Sequence, residues 1–281
     1  MDAREGLNES VERAVSGEVL EWLDRARIMR GLTSAVAASV SSLEISEALD
    51  STNSELLRRS TPLRGVAVLL AESQSGGRGR RGRQWASPLA ANIYLSLARA
   101  FAGGLSRMGG LSLAMGVAAV QALHELGFAG VGLKWPNDLM VAGRKLGGLL
   151  VEGGGEFSGP ARMVVGLGLN VHMPAQAADI GQPWTDLDTL AAARVSRNDV
   201  VAALLSHMLP ALDEFEQQGL APFLPRYAAL DVLYGQPVRV EDAGATCAGV
   251  ACGLTTDGAL RVRLEGGERC FHAGDVSVRA A

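Results

Sequence analysis

Apolar positions in Glu18 to Met29 recur near the 3.6-residue period, with Val19, Trp22, Leu23 and Ile28 on one side, and predict a surface-packed helix. Leu43 to Leu49 instead alternates apolar with polar residues, the period of a strand. It runs into Asp50-Ser51-Thr52-Asn53-Ser54-Glu55, where Thr52 and Glu55 have capping-box spacing, so a helix should open there and continue to about Arg59. A strand thus delivers polar side chains to a helix N-terminus, which suits an anion or a polar ligand.

Further along, strand-like Val66 to Ala71 leads through a Gly/Arg loop, Gly76 to Gly82, to strand-like Asn92 to Ala98. Met108, Leu111, Met115, Ala118, Ala122 and Leu126 share a helical face that Gly127 should end. The period then shortens to two. Val131 to Trp135, Leu139 to Val141, Lys145 to Val151 and Met163 to Val171 read as strands joined by turns at Pro136-Asn137 and Gly143-Arg144, which implies a largely antiparallel sheet. Asn198 can cap a helix with Val201, Leu204, Met208, Leu212 and Phe215 on one side, kinked at Pro210 and ending at Gly219. After Pro237 come five short strands, PVRV, TCAGVACGL, ALRVRL, RCFH and VSV, with turns at Asp257-Gly258 and Gly266-Gly267. Such a run suggests a small barrel. The expected fold is α+β, a mixed, largely antiparallel sheet with packed helices. Its parts are an N-terminal extension over 1–42, a main domain over 43–231 and the barrel over 232–281.

Composition narrows this picture. With 281 residues, 48% hydrophobic and 20% charged, the chain has material for a core and is not disordered. No apolar run approaches the roughly 18 residues of a membrane span, and Met1 to Ser10 lack the basic and apolar regions of a secretory signal. The expected location is the cytoplasm, away from membranes, in keeping with only three cysteines. A net charge of −4 argues against broad nucleic-acid binding, so a basic cluster reads as a local anion site.

The main basic cluster is Gly76-Gly77-Arg78-Gly79-Arg80-Arg81-Gly82-Arg83-Gln84-Trp85, with four arginines in six positions. Glycines allow close backbone approach, and guanidinium groups neutralise carboxylate or phosphate. Such a run also occurs as a solvated nucleic-acid segment. Its place between two strands of an acidic chain favours a compact anionic ligand. Lys134-Trp135-Pro136-Asn137-Asp138-Leu139 turns sharply and presents Asn and Asp at a strand end, although Pro-Asn-Asp is also ordinary turn chemistry. Arg144-Lys145-Leu146-Gly147-Gly148-Leu149-Leu150-Val151-Glu152 places a lysine at a strand start beside paired glycines, where surface charge is the competing reading. Val165-Gly166-Leu167-Gly168-Leu169-Asn170 alternates glycine with bulky residues, leaving one strand face bare for another backbone or a flat ligand.

In this order, and preceded by Asp50-Ser51-Thr52-Asn53, these four motifs resemble the biotin protein ligase family from about Leu43 to the C-terminus. The resemblance implies a class II synthetase-like catalytic domain followed by an SH3-like barrel. It implies an enzyme that joins biotin to ATP, with Mg²⁺, as biotinyl-5′-AMP. Biotin then passes to a lysine of the biotin carboxyl carrier domain of a carboxylase. By the same resemblance Ser51, Thr52, Asn53 and Gln74 contact biotin, and Arg78, Gly79 and Arg80 form the loop that folds over biotin and the adenylate. Lys145 contacts the reacting carboxylate and phosphate, with Arg80 also catalytic. Gly148 and Gly166 bring backbone against the ligand, Asp138 and Asn170 face phosphate or Mg²⁺, and Trp184 lies near the adenine.

Two departures stand out. The 42 residues ahead of the strand, with one predicted helix, fall short of the winged helix-turn-helix of members that repress transcription, so a ligase without DNA binding is expected. The loop reads Gln74-Ser75-Gly76-Gly77, where a second Gln and an Ala are common in the family. A zinc site from Cys247, Cys252, Cys270 and His272 has the right ligand number, but strand positions five apart face opposite sides, so no structural metal is expected. A lipoate or octanoyl ligase or transferase is the nearest alternative. A nucleic-acid-binding regulator resting on the arginine loop is the alternative from another class.

Overall fold

The computed structural model describes residues 20–157, 159–174, 181–242, 245–273 and 277–280. Glu18, Val19 and the N-terminal ten residues lie outside these, as does Val276 of the last predicted strand. Seven strands form a mixed sheet: β1 (Val40–Leu49), β2 (Val66–Gln74), β3 (Ile93–Phe101), β4 (Gly132–Lys134), β5 (Asp138–Val141), β6 (Arg144–Gly155) and β7 (Ala161–Leu169). Their spatial order is β1-β2-β3-β7-β6-β5-β4, with β1 parallel to β2 and every other pair antiparallel.

Two helices cover one face, α4 (Leu111–Glu125) and α6 (Arg197–Gln218). Leu95 and Leu97 of β3 and Leu167 and Leu169 of β7 pack into the main core with Met115, Leu123, Leu212 and Phe215. The other face carries the short helix α3 (Thr52–Arg58) over a second cluster of Leu56, Leu69, Ala98 and Val164. Ahead of β1 come α1 (Arg25–Arg30) and α2 (Ser34–Ser39), and α5 (Leu187–Leu190) lies between α4 and α6 in the chain. A further helix, α7 (Leu224–Leu230), leads to the C-terminal unit. There β8 (Pro237–Asp242), β9 (Ala245–Leu254), β10 (Leu260–Leu264), β11 (Gly267–Phe271) and β12 (Ser277–Ala280) make an antiparallel sheet ordered β11-β10-β9-β8-β12. The predicted Asp257-Gly258 turn is present, with Gly258 in the left-handed region at φ 86°.

Several local expectations change. Among the described residues the first helix begins at Arg25, capped by Asp24, because the backbone of 21–23 is claimed elsewhere. Arg197 Nη1 donates to the Glu21 carbonyl at 2.6 Å, Asn198 Nδ2 to the Trp22 carbonyl at 3.0 Å, and Leu23 N–H to Glu72 Oε1 at 2.7 Å. A helix over those residues would have to give up these bonds. A second helix, α2, also precedes the sheet. Ser51, one residue before Thr52, is the N-cap of α3, and Glu55 pairs with Arg58 and Arg59. Ser196 caps α6, leaving Asn198 buried against the N-terminal segment. Helix α4 starts at Leu111, after Met108, whereas α6 ends as expected, with Gly219 as its C-cap. No helix among the described residues is long and apolar enough to cross a membrane.

Candidate active site

The strand register accounts for the site's floor. Asp138 pairs with Gly148, Gly148 with Gly168, and Gly168 with Tyr94, so one row crosses β5, β6, β7 and β3 on the face away from α4. The next row is Leu150, Gly166 and Ser96, and the third is Glu152, Val164 and Ala98. A cavity of about 1020 Å³ opens over this face. Its lining includes all thirteen residues singled out by sequence: Ser51, Thr52, Asn53, Gln74, Arg78, Gly79, Arg80, Asp138, Lys145, Gly148, Gly166, Asn170 and Trp184.

Polar residues from α3 and β2 close one end. Thr52 N–H donates to Gln74 Oε1 at 2.9 Å, and Gln74 Nε2 donates to Ser87 Oγ at 3.1 Å. Ser96 Oγ lies 2.8 Å from Thr52 Oγ1 and 2.6 Å from Asn53 Oδ1. Asn53 Nδ2 donates to the Leu150 carbonyl at 3.1 Å and to Glu152 Oε2 at 2.9 Å. An amide has two N–H bonds to give, so Asn53 spends both on the protein. Gln74 retains one N–H, and Ser51 retains its hydroxyl proton for a ligand. Asp50, just ahead of this turn, has its carboxyl lowered to about 2, chiefly by hydrogen bonding from the Arg58 guanidinium.

The bare glycine face is filled by side chains of this chain. A Cβ on Gly166 would stand 2.3 Å from Asn53 Oδ1, and one on Gly168 would stand 2.4 Å from Trp85 Cε2. On this face Gly166 leaves room for Asn53 while still lining the cavity. At Gly148 the nearest atoms are Asp138 Oδ1 and the Lys145 side chain, each at 3.3 Å.

Cations gather toward the other end. Lys145 Nζ is 2.6 Å from Asp138 Oδ1, each side chain only 16% exposed, and Lys134 Nζ is 4.0 Å from Asp138 Oδ2. This holds Lys145 in place, unlike an ordinary surface lysine. Its ammonium also lies 5.5 Å from the centre of the Trp85 ring. Lys145 N–H donates to the Pro183 carbonyl at 3.0 Å, and Thr185 N–H donates to the Lys145 carbonyl at 2.9 Å, which draws Trp184 beside it. Buried Asn170 anchors the same segment, its Nδ2 donating to the Thr185 carbonyl at 3.0 Å.

The arginine loop closes over the cavity. Its neck is pinned by Gly79 N–H to the Arg83 carbonyl at 2.7 Å and by Trp85 N–H to the Gly77 carbonyl at 2.9 Å. Arg81 and Gly82 both take the left-handed conformation at its tip. Arg78 Nη2 donates to Glu152 Oε2 at 2.9 Å. Arg80 donates to Asn137 Oδ1 at 3.4 Å and to the Ala273 carbonyl of the C-terminal unit. Trp135 Nε1 adds a second link to that unit, donating to the Gly258 carbonyl at 3.0 Å.

Sequence reasoning passed over Trp85, Ser96 and Glu152. Trp85 closes the arginine motif, and the bare Gly168 position called for something flat, so the two together were a usable signal. Ser96 has none, and Glu152 only closes the motif that begins at Arg144; the register brings both to the site. Among the described residues no three His, Cys, Asp or Glu side chains group as metal ligands.

Residues 45–170 match the biotin/lipoate A/B protein ligase family, and residues 233–279 match the biotin protein ligase C-terminal domain. The bifunctional ligase/repressor BirA of Salmonella typhimurium is 38% identical over 265 residues, 94% of this chain and 81% of that protein. The biotin--[acetyl-CoA-carboxylase] ligase of Mycobacterium tuberculosis is 34% identical over 242 residues, 83% of this chain and 88% of that one. Among solved structures, the biotin protein ligase of Aquifex aeolicus, in complex with biotin and ATP, superposes with a TM-score of 0.74 at 24% identity, covering 86% of this chain and all of that one. Both units match by sequence, and the identities extend over most of each relative, so the chain belongs to the biotin protein ligase family.

Proposed function

We propose that the protein is an ATP-dependent biotin ligase that makes biotinyl-5′-AMP and passes biotin to a lysine of a carboxylase's biotin carboxyl carrier domain. One observation carries this reading. A single cavity unites a polar pocket at α3, an arginine loop over it, and a lysine held by a carboxylate at the other end. The reaction brings two anions together, so cations must sit where negative charge develops and the reactants must be held in line. A biotin carboxylate oxygen bonds to the α-phosphorus of ATP as the bond to the β-phosphate oxygen breaks, releasing pyrophosphate. The carrier's lysine amine then attacks the acyl carbon, AMP leaves, and the amine loses its proton.

In this reading Ser51, Thr52 and Gln74 hold the polar head of biotin, with Asn53 shaping the pocket from behind. Arg78, Gly79 and Arg80 cover the ligand, Gly148 lets it approach β6, and Lys145 neutralises the reacting oxygens. Trp184 borders the adenine, on the segment that Asn170 anchors. Mg²⁺, which supplies charge neutralisation on the phosphates, suits a site that needs one or two carboxylates beside those phosphates. Asp138 is the carboxylate that would face it. Links from Trp135 and Arg80 to the C-terminal unit support a part for that unit in ATP or carrier engagement. The division into 1–42, 43–231 and 232–281 and a cytoplasmic location belong to the same reading. The acidic balance supports a ligase with no DNA partner.

The test is transfer. Incubated with ATP, Mg²⁺, biotin and a purified biotin carboxyl carrier domain, the protein should attach biotin to a single lysine of that domain, with lipoate and octanoate failing to compete. Attachment of lipoate or octanoate in preference to biotin would overturn the reading.

A further inference from the structure

Glu152, the last residue of the motif that begins at Arg144, stands in the third row of the sheet face, beside the biotin pocket, and the sequence assigns it no role. Its Oε2 accepts from Asn53 Nδ2 at 2.9 Å and from Arg78 Nη2 at 2.9 Å. One carboxylate oxygen therefore joins α3 to the arginine loop. An isolated exposed Arg–carboxylate pair contributes little, since solvent screens it and ordering long side chains costs entropy. Here the carboxylate side chain is only 24% exposed, and its other partner is an amide already fixed by Ser96 and Leu150. Arg78 therefore pairs with a prepositioned acceptor. Of its five N–H bonds, those not directed at Glu152 remain for a ligand under the loop.

We propose that Glu152 is a positioning residue, a latch that ties the closed loop to the biotin pocket and so controls how long the adenylate is retained. It takes no part in the bond-making step. This rests on the biotin-ligase reading, and the experiment separates the two.

Wild type, Glu152→Gln, Glu152→Asp, Arg78→Gln and the Glu152→Gln/Arg78→Gln double variant are compared in biotin-dependent pyrophosphate exchange and in a chase that follows release of labelled adenylate. For Glu152→Gln, the latch predicts a rise of roughly three- to tenfold in biotin KM and in adenylate release, in the lower part of the range of contact coupling energies, with kcat within about twofold. Glu152→Asp should show a smaller rise. The double variant should be no worse than Arg78→Gln alone, because both substitutions break one contact. Unchanged KM and release, additive losses, or a fall in kcat alone would overturn the proposal.

Hydrogen exchange over residues 76–84 supplies a readout that does not depend on activity. Glu152→Gln, and Glu152→Asp should the first variant fail to fold, must protect this loop less than wild type does. Equal protection sinks the latch, whereas absence of exchange activity in the wild type alone sinks the biotin reading.

Discussion

The two faces of the seven-stranded sheet are built from alternate residues of the same strands, yet they do different work. On β7, Leu167 and Leu169 enter the apolar core under α4 and α6, while Gly166 and Gly168 between them support Asn53 and Trp85. On β3, Leu95 and Leu97 face the core, and Ser96 between them contacts Thr52 and Asn53. One face is dry and closely packed. The other is a hydrogen-bonded floor in which most donors are already spent on the protein. Period-two alternation thus encodes the stability of the molecule and its chemistry in a single string. Neighbouring substitutions should therefore separate the two.

The largest effect is expected on the chemical face. Lys145→Ala should lower biotin-dependent exchange by roughly 10²- to 10³-fold, the cost of losing a preorganised charge at a developing anion. Its thermal unfolding should stay close to wild type. Normal adenylate formation in this variant would remove Lys145 from the mechanism. On the dry face, Leu167→Ala deletes a side chain only 2% exposed and should cost about 2–5 kcal/mol in denaturant unfolding. Exchange per folded molecule should not change.

Gly168→Ala, one residue away, should do the reverse. Its Cβ would stand 2.4 Å from the Trp85 ring, which is too rigid to yield locally, so the ring beside Lys145 must move. Biotin KM should rise by about tenfold for a loss near 1.4 kcal/mol, with little change in unfolding. If Leu167→Ala and Gly168→Ala shift stability and KM in the same proportions, the separation of the faces is wrong.

How far this was legible in the sequence follows from the kind of signal each residue gives. Alternation locates the strands of both units, and motif residues far apart in sequence line one cavity. The glycines of Val165-Gly166-Leu167-Gly168 announced a bare face but not its contents. Asn53 and Trp85 reach it from other elements, and spacing within one strand cannot name them. The first helix was drawn too long because Trp22 and Leu23 have helical spacing, whereas buried Arg197, Asn198 and Glu72 claim the backbone of 21–23. Such long-range side-chain bonds leave no local periodicity. Thr52 and Ser51 are both good caps, and the pairing of Thr52 with Gln74 leaves Ser51 as the cap.

The smallest effect concerns acid. Arg58 holds the Asp50 carboxyl down at about 2, below its ordinary value. A group lowered in this way stabilises the fold above roughly pH 4 and loses that contribution as pH falls toward 2. Because the pair is exposed, solvent screening keeps the effect small. A pH series of melting temperatures should therefore show a slightly shallower acid decline in Arg58→Met than in wild type. Identical acid slopes in Arg58→Met and wild type would remove Asp50 from the account of how α3 is held.

The central claim is that one cavity on the polar face activates biotin with ATP, and isotope exchange tests it most directly. Labelled pyrophosphate is supplied with ATP, Mg²⁺ and biotin, without a carrier domain, so that only the first step can occur. Label should enter ATP in proportion to active enzyme, only when biotin is present, and should nearly vanish in Lys145→Ala. Exchange that proceeds without biotin, follows lipoate instead, or survives intact in Lys145→Ala would contradict the account.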